Sequence, residues 1–129
     1  IGKLSRTRPK DIISGRSLNQ GESGGITFIG LLGSISGSFV IATVGYFLDM
    51  NTSYLIIVFI SGFLGSLFDS ILGSTLQSRF ILMDGKTIKE EKEQDSYLYS
   101  GLLSINNNGV NFLCTLSAPI FFILLYLIA

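Results

Sequence analysis

Apolar positions gather in three long runs separated by polar segments of very different length. The runs cover roughly Gly25–Leu48, Tyr54–Gln77 and Val110–Ala129. Each reaches the ~20 residues that a helix needs to cross a bilayer. The pattern predicts an all-α, polytopic integral membrane protein with about three transmembrane helices. Buried core helices of a soluble domain, the other source of apolar runs, fit these lengths poorly. Residues 1–24 form a basic, glycine-rich segment, and residues 25–129 the helical bundle, with a loop at about 79–108. Within that loop, Lys86-Thr-Ile-Lys-Glu-Glu-Lys-Glu-Gln-Asp95 is mixed in charge and predicts a solvated turn or short helix without chemistry. Pro119 predicts a kink in the third span.

Charge fixes an orientation. Lys3, Arg6, Arg8, Lys10 and Arg16 precede the first span, and Arg79, Lys86, Lys89 and Lys92 lie between the second and third. The short connection Asp49-Met-Asn-Thr-Ser53 has no Lys or Arg. If the spans alternate, all nine basic residues share one side, which the positive-inside rule makes cytoplasmic. Tyr46 and Tyr54 then fall at the opposite interface, where aromatic anchors belong.

Composition narrows the chemistry. The chain is 14% charged, against about 25% for a soluble domain, and its formal net charge of zero does not point to nucleic acid. A single cysteine, Cys114, excludes an intrachain disulfide. The absence of histidine removes Ser-His-Asp triads and every His-containing metal site. A metal here needs oxygen ligands, which favours magnesium or calcium. The chain begins at Ile1 and ends at Ala129 within apolar sequence, so both ends are expected to be cuts in a longer protein or a defined piece of it.

Asp69 stands out because it interrupts an apolar run. A carboxylate within a span costs about 2.5–3.5 kcal/mol on insertion scales and is usually functional. It lies toward the basic end of its span and is expected to face the same aqueous side as the basic segments. Gly62, Gly65, Ser66, Asp69, Gly73 and Gln77 share one helical stripe, and Gly30, Gly33 and Gly37 share another. Glycine stripes serve helix packing, but the stripe of the second span adds an acid, Asp69, and an amide, Gln77, that packing does not require. Gly30–Ser38 resembles Gly62–Ser70, an echo too short to establish the inverted repeat of a transporter.

Two further clusters fall on the side of Asp69. Arg6-Thr-Arg-Pro-Lys10, Gly15-Arg16 and Gly21-Glu-Ser-Gly-Gly25 combine cations with glycines ahead of a helix. Such a segment can cradle a nucleotide or lipid phosphate, or serve only as a topogenic flank and linker. It lacks the Gly-Lys-Ser/Thr core of a Walker A loop. Asn106-Asn-Asn-Gly-Val-Asn-Phe112 reads as a helix cap, or as a set of amides that orients a phosphate or completes a magnesium shell. Cations, a carboxylate and amides beside hydrocarbon are the parts needed for phosphoryl transfer to a lipid.

Four stretches resemble the transmembrane protein 19 family, which includes the plant phytyl-phosphate kinase. Pro9-Lys-Asp-Ile-Ile-Ser-Gly-Arg16 is similar to its Pro-Arg-Leu-Ile-Thr-Thr-Gly-Lys. Gly21-Glu-Ser-Gly-Gly-Ile-Thr-Phe-Ile-Gly30 resembles Gly-Thr-Asn-Gly-Gly-Val-Thr-Leu-Leu-Gly. The stretch Gly62–Gln77 resembles Gly-x-x-Gly-x-x-x-Asp-Ser-x-x-Gly-Ala-x-x-Gln, and Asn107–Phe112 resembles Asn-Asn-x-Val-Asn-Phe. The resemblance covers the C-terminal part of the family's conserved region. Ser23 and Glu22 replace the family's Asn and Thr, and Ile1-Gly2 looks like the residues just after its acidic Asp-Thr-x-Ala-Ser-Glu motif.

The resemblance implies a membrane lipid kinase that transfers a phosphoryl group from CTP or another NTP to an isoprenoid monophosphate of phytyl or geranylgeranyl type, with Mg2+. It implies catalytic roles for Asp69, Asn107 and Asn111, with Asp69 also the metal residue. Arg6, Arg8, Lys10, Arg16, Gly24 and Gly25 would bind phosphate. The expected partners are the isoprenoid lipid phosphate and membrane lipid, not nucleic acid. The missing N-terminal half of the family fold or a second copy would complete the site. The rival reading is a membrane transporter or non-catalytic assembly subunit using Asp69 as a proton or cation site. A transport site, however, belongs near the midplane.

Overall fold

Thr27 starts the first span: its Oγ1 accepts a 3.0 Å hydrogen bond from Gly30 N–H and satisfies one of the open donors at the helix start. The computed structural model describes residues 7–85 and 87–128. Along them run β1 (Lys10–Asp11), β2 (Gly25–Ile26), α1 (Phe28–Phe47), α2 (Thr52–Thr75), β3 (Arg79–Leu82), β4 (Ile88–Lys89), β5 (Ser96–Ser100) and α3 (Asn107–Ile128). All three helices are long and apolar enough to span a membrane. They bear out the mostly helical, polytopic membrane fold that the hydropathy pattern predicts.

The turn between α1 and α2 is tight. Asp49 takes φ 56°, a left-handed conformation that Asp tolerates better than most residues. Asn51 then caps α2, its Oδ1 accepting from Ser53 N–H at 2.9 Å. The second helix therefore starts two residues before the apolar run does.

Both α1 and α3 pack on α2, which lies between them. Small residues set these contacts. A Cβ on Gly62 would lie 3.0 Å from Ser38 Oγ of α1, and one on Gly65 would lie 3.3 Å from Ala118 Cβ of α3. Side chains on the outer faces, among them Phe28, Phe39, Ile123 and Leu127, are exposed. Large apolar faces of this kind suit a lipid solvent. At one end of the bundle Phe122 stacks on Tyr126, whose ring meets Tyr54 at a tilt.

The opposite end carries the strands. β1 and β2 pair antiparallel, Lys10 with Ile26 and Asp11 with Gly25. A second sheet has the order β4-β3-β5, with Ile81 pairing both Ile88 and Tyr97. The charged loop thus differs from the solvated turn or short helix expected. Ile88 and Lys89 form a strand, because Asp84-Gly85 closes a hairpin in which Gly85 takes φ 67° and Asp84 Oδ1 accepts from Thr87 N–H. Leu102 N–H donates to Leu76 O and Ser78 N–H to Ile105 O, fastening this loop to the end of α2. Lys86 lies outside the described residues. α3 runs through Pro119 as one helix.

Candidate functional site

Asp69 occupies the last third of α2, half-buried, on the side facing α3. One turn into α3, Asn111 faces the same space. The two line an open groove of about 580 Å³ between the helices. Ser66, Cys114 and Thr115 supply further polar groups, and Gly62, Gly65 and Ala118 form its small, apolar part. The Cys114 thiol lies beside the Asp69 carboxylate and donates to Gly65 O at 3.4 Å. The groove exists because Gly65 and Ala118 let the helices meet without side chains filling the space between them.

Ser66 borders two spaces. Its hydroxyl bonds to that of Ser34 at 2.6 Å, linking α2 to α1. A smaller cavity of about 220 Å³ lies on that side, with hydroxyls from Thr27, Ser34, Ser66 and Ser70.

The structure separates Asn107 from Asp69. Asn107 lines a third cavity of about 410 Å³ at the sheet end, together with Asn106, Asn108, Gly21, Ser23 and the acids Glu90 and Glu91. Asn106 is engaged as a cap, its Oδ1 accepting from Gly109 N–H at 3.0 Å. Asn107 and Asn111 are four residues apart on α3 and share a helical face, so the two spaces follow one another along it.

Of the residues expected to bind phosphate, Arg8, Lys10 and Arg16 are exposed on the N-terminal segment. Arg6 lies outside the described residues. Gly24 is buried at φ 79°, and a Cβ there would lie 2.6 Å from Ser74 Cα. Its close backbone approach is therefore made to α2. A Cβ on Gly25 would lie 2.9 Å from Pro9 Cβ, so this glycine too is used for packing within the segment.

Three further residues position this end of the molecule. Asp11 is buried and accepts from Ile13 N–H, Ser14 N–H, Ser14 Oγ and, through its other oxygen, Ser74 Oγ. Burial pushes its pKa up, but the hydrogen bonds from Ser14, Ser74 and Ile13 outweigh this and hold it at about 2. Arg79 is buried, and its guanidinium donates to Ser23 O at 2.6 Å and Gly73 O at 3.3 Å. It thereby caps the carbonyl end of α2. Glu90 accepts from Ser23 N–H at 2.7 Å. Ser23 is gripped from both sides, which fixes the glycine-rich loop against α2 and the sheet. Sequence reasoning missed all three. The available signals were an Asp three residues before a Ser, and a cation just past a helix end.

Comparison with known proteins agrees with this architecture. The chain is 31% identical to Protein PGR of Arabidopsis thaliana, over 90% of the chain and 44% of that protein. It is 26% identical to the Uncharacterized membrane protein MJ0933 of Methanocaldococcus jannaschii, over 98% of the chain and 43% of that protein. The chain thus spans less than half the length of these relatives. No solved structure matches it. The family of integral membrane proteins called DUF92 matches residues 1–119, and with its three apolar helices the chain belongs to that family.

Proposed function

We propose that this chain carries the lipid-facing part of a kinase that phosphorylates an isoprenoid monophosphate from CTP or another NTP. The observation that carries the reading is the pairing of Asp69 and Asn111 in one groove near the polar end of the bundle. The resemblance to the transmembrane protein 19 family and its phytyl-phosphate kinase supplies the substrate class. In this reading the basic face is cytoplasmic and the isoprenoid tail runs along Gly62, Gly65 and Ala118 toward the bilayer centre.

The chemistry is a displacement at the γ-phosphorus. An oxygen of the lipid monophosphate attacks, the bond to the β,γ-bridging oxygen breaks, and a nucleoside diphosphate leaves with that electron pair. The acceptor is already an anion, so the protein needs no general base; it must position the groups and balance charge. Asp69 and Asn111 offer a carboxylate and an amide oxygen, hard donors that suit Mg2+. Magnesium, when bound, supplies positive charge on the phosphate oxygens. Asn111 orients the acceptor by its amide, and Gly62, Gly65 and Ala118 leave room for the lipid beside it.

The test is transfer from labelled CTP and ATP, with magnesium, to phytyl or geranylgeranyl monophosphate. It uses the purified full-length protein and its Asp69→Asn variant in detergent. Transfer by the natural protein and its loss in a folded variant are expected. No transfer to any isoprenoid phosphate by folded protein overturns the reading in favour of transport or assembly.

A further inference from the structure

The cavity at the sheet end has a chemistry that the groove does not share. It measures about 410 Å³ and lies between the glycine-rich loop, the charged loop and the start of α3. Pockets that take small molecules usually measure about 300–1,000 Å³. The hydroxyl-lined cavity between α1 and α2, at about 220 Å³, falls below that range. Every side chain lining the larger cavity is polar: Ser23, the carboxylates of Glu90 and Glu91, and the amides of Asn106, Asn107 and Asn108.

The fold aims one of the carboxylates. A Glu90 oxygen accepts from Ser23 N–H at 2.7 Å, which fixes this half-buried side chain against the glycine-rich loop. An ionised carboxylate offers about four lone-pair sites, so Glu90 has capacity for further bonds, and so has Glu91 beside it. The asparagine amides bring acceptors and donors together. Such a wall matches an uncharged occupant rich in O–H and N–H groups. A ribose diol suits the carboxylates, as in dinucleotide sites where an acid holds the ribose hydroxyl. A base edge, with donor and acceptor side by side, suits the amides.

Charge sets the direction of entry. Two carboxylates repel a phosphate placed beside them, so the sugar and base enter and the phosphates point away. Asn107 lines this cavity, and Asn111, four residues further along α3, lines the Asp69 groove. Four residues of helix advance about 6 Å, within reach of a triphosphate chain.

We propose that the cavity between Ser23, Glu90, Glu91 and the α3 asparagines binds the nucleoside of the phosphoryl donor, with the carboxylates on its ribose diol. This rests on the kinase reading, in that the donor is a nucleotide, and adds where the uncharged end of that donor sits. The glycine-rich loop is then a wall for sugar and base. That role leaves Gly24 and Gly25 to pack against Ser74 and Pro9, as they do.

The experiment is equilibrium binding of labelled CTP and ATP, and of their 2′,3′-dideoxy forms, to the full-length protein in detergent with magnesium. Transfer to geranylgeranyl monophosphate is measured on the same preparation. The natural protein is expected to bind a ribonucleotide about tenfold or more tightly than its dideoxy form, the scale of a hydrogen bond to a charged group. The double variant Glu90→Gln, Glu91→Gln keeps side-chain size and an oxygen for Ser23 N–H, but removes both carboxylates. Its preference should fall to about threefold or less. Loss of negative charge tightens both forms alike, so the ratio reports the diol alone. Glu91→Gln by itself should lower the ratio in the same direction and leaves the Ser23 bond untouched, should the double variant fail to fold. An undiminished ratio in folded variants, or no preference in the natural protein, overturns the cavity as the nucleoside site; where transfer persists, the kinase reading stands. Folded natural protein that neither binds a nucleotide nor transfers phosphate overturns both.

Discussion

The Ser74 hydroxyl donates to Asp11 Oδ2 at 2.8 Å, tying the N-terminal segment to the end of α2 across 63 residues of sequence. Asp11 is buried and holds four donors, so its replacement leaves them open. A hydrogen bond to a charged group contributes about 1.5–3 kcal/mol. Ser74→Ala is expected to lose about that much, and Asp11→Ala more. Thermal unfolding in detergent checks both. Limited proteolysis should show cleavage in residues 12–24 rising before the helices unfold.

The same carboxylate predicts an acid limit. Its folded pKa of about 2 is below the ordinary 3.8. A depressed carboxylate contributes stability that is complete above its unfolded pKa and lost as pH falls through the folded value. Natural protein should lose stability between about pH 4 and pH 2, and Asp11→Asn should lose less over that window. Equal slopes in the two proteins would remove Asp11 from the explanation.

Gly24 takes φ 79° with its backbone against Ser74. Gly24→Ala adds a left-handed penalty of about 1–2 kcal/mol and overpacking of about 1–3 kcal/mol. A loss of about 2–5 kcal/mol is expected. Gly15→Ala is the comparison: it has a similar φ of 67° but open space, so it should show the smaller cost alone.

Gly65 meets Ala118 where α2 and α3 cross. Gly65→Val should separate the helices, at a cost of about 1–3 kcal/mol, and fill the floor of the groove. Alkylation of Cys114 by a membrane-soluble maleimide reports the change, because its thiol lines the groove and bonds to Gly65 O. An unchanged alkylation rate would mean that Gly65 does not shape that space.

Orientation has its own test. Arg16 is exposed on the basic face. Arg16→Cys, in a Cys114→Ala background, should react with an impermeant maleimide from the cytoplasmic side only. Reaction from the other side would reverse the topology that the positive-inside rule predicts.

Hydropathy alone located the three spans, because a bilayer imposes length and apolarity on each helix locally. Asp69 was legible for the same reason: a charge is conspicuous against a uniform apolar background. The sequence placed Asn111 on the same side as Asp69; that the two share a groove is set by the packing of α3 on α2. Asp11, Arg79 and Glu90 were not legible, because in a polar segment any charge reads as solvated until its distant partner is known. The spacing of Asn107 and Asn111 gave no warning that they border different spaces. That division depends on where Ser23 and Glu90 are fastened, which is a tertiary fact. The β4 strand was hidden by its charges, although Asp84-Gly85 carries the local hairpin signal.

Ser66 and Asp69 are one turn apart on a helix that both other spans touch. Through Ser66 the helix grips Ser34 on one flank, and with Asp69 it forms the groove wall on the other. A roll of α2 about its own axis therefore cannot widen the groove without loosening the grip on α1. The groove's aperture and the seat of the first span are two readings of a single rotational coordinate.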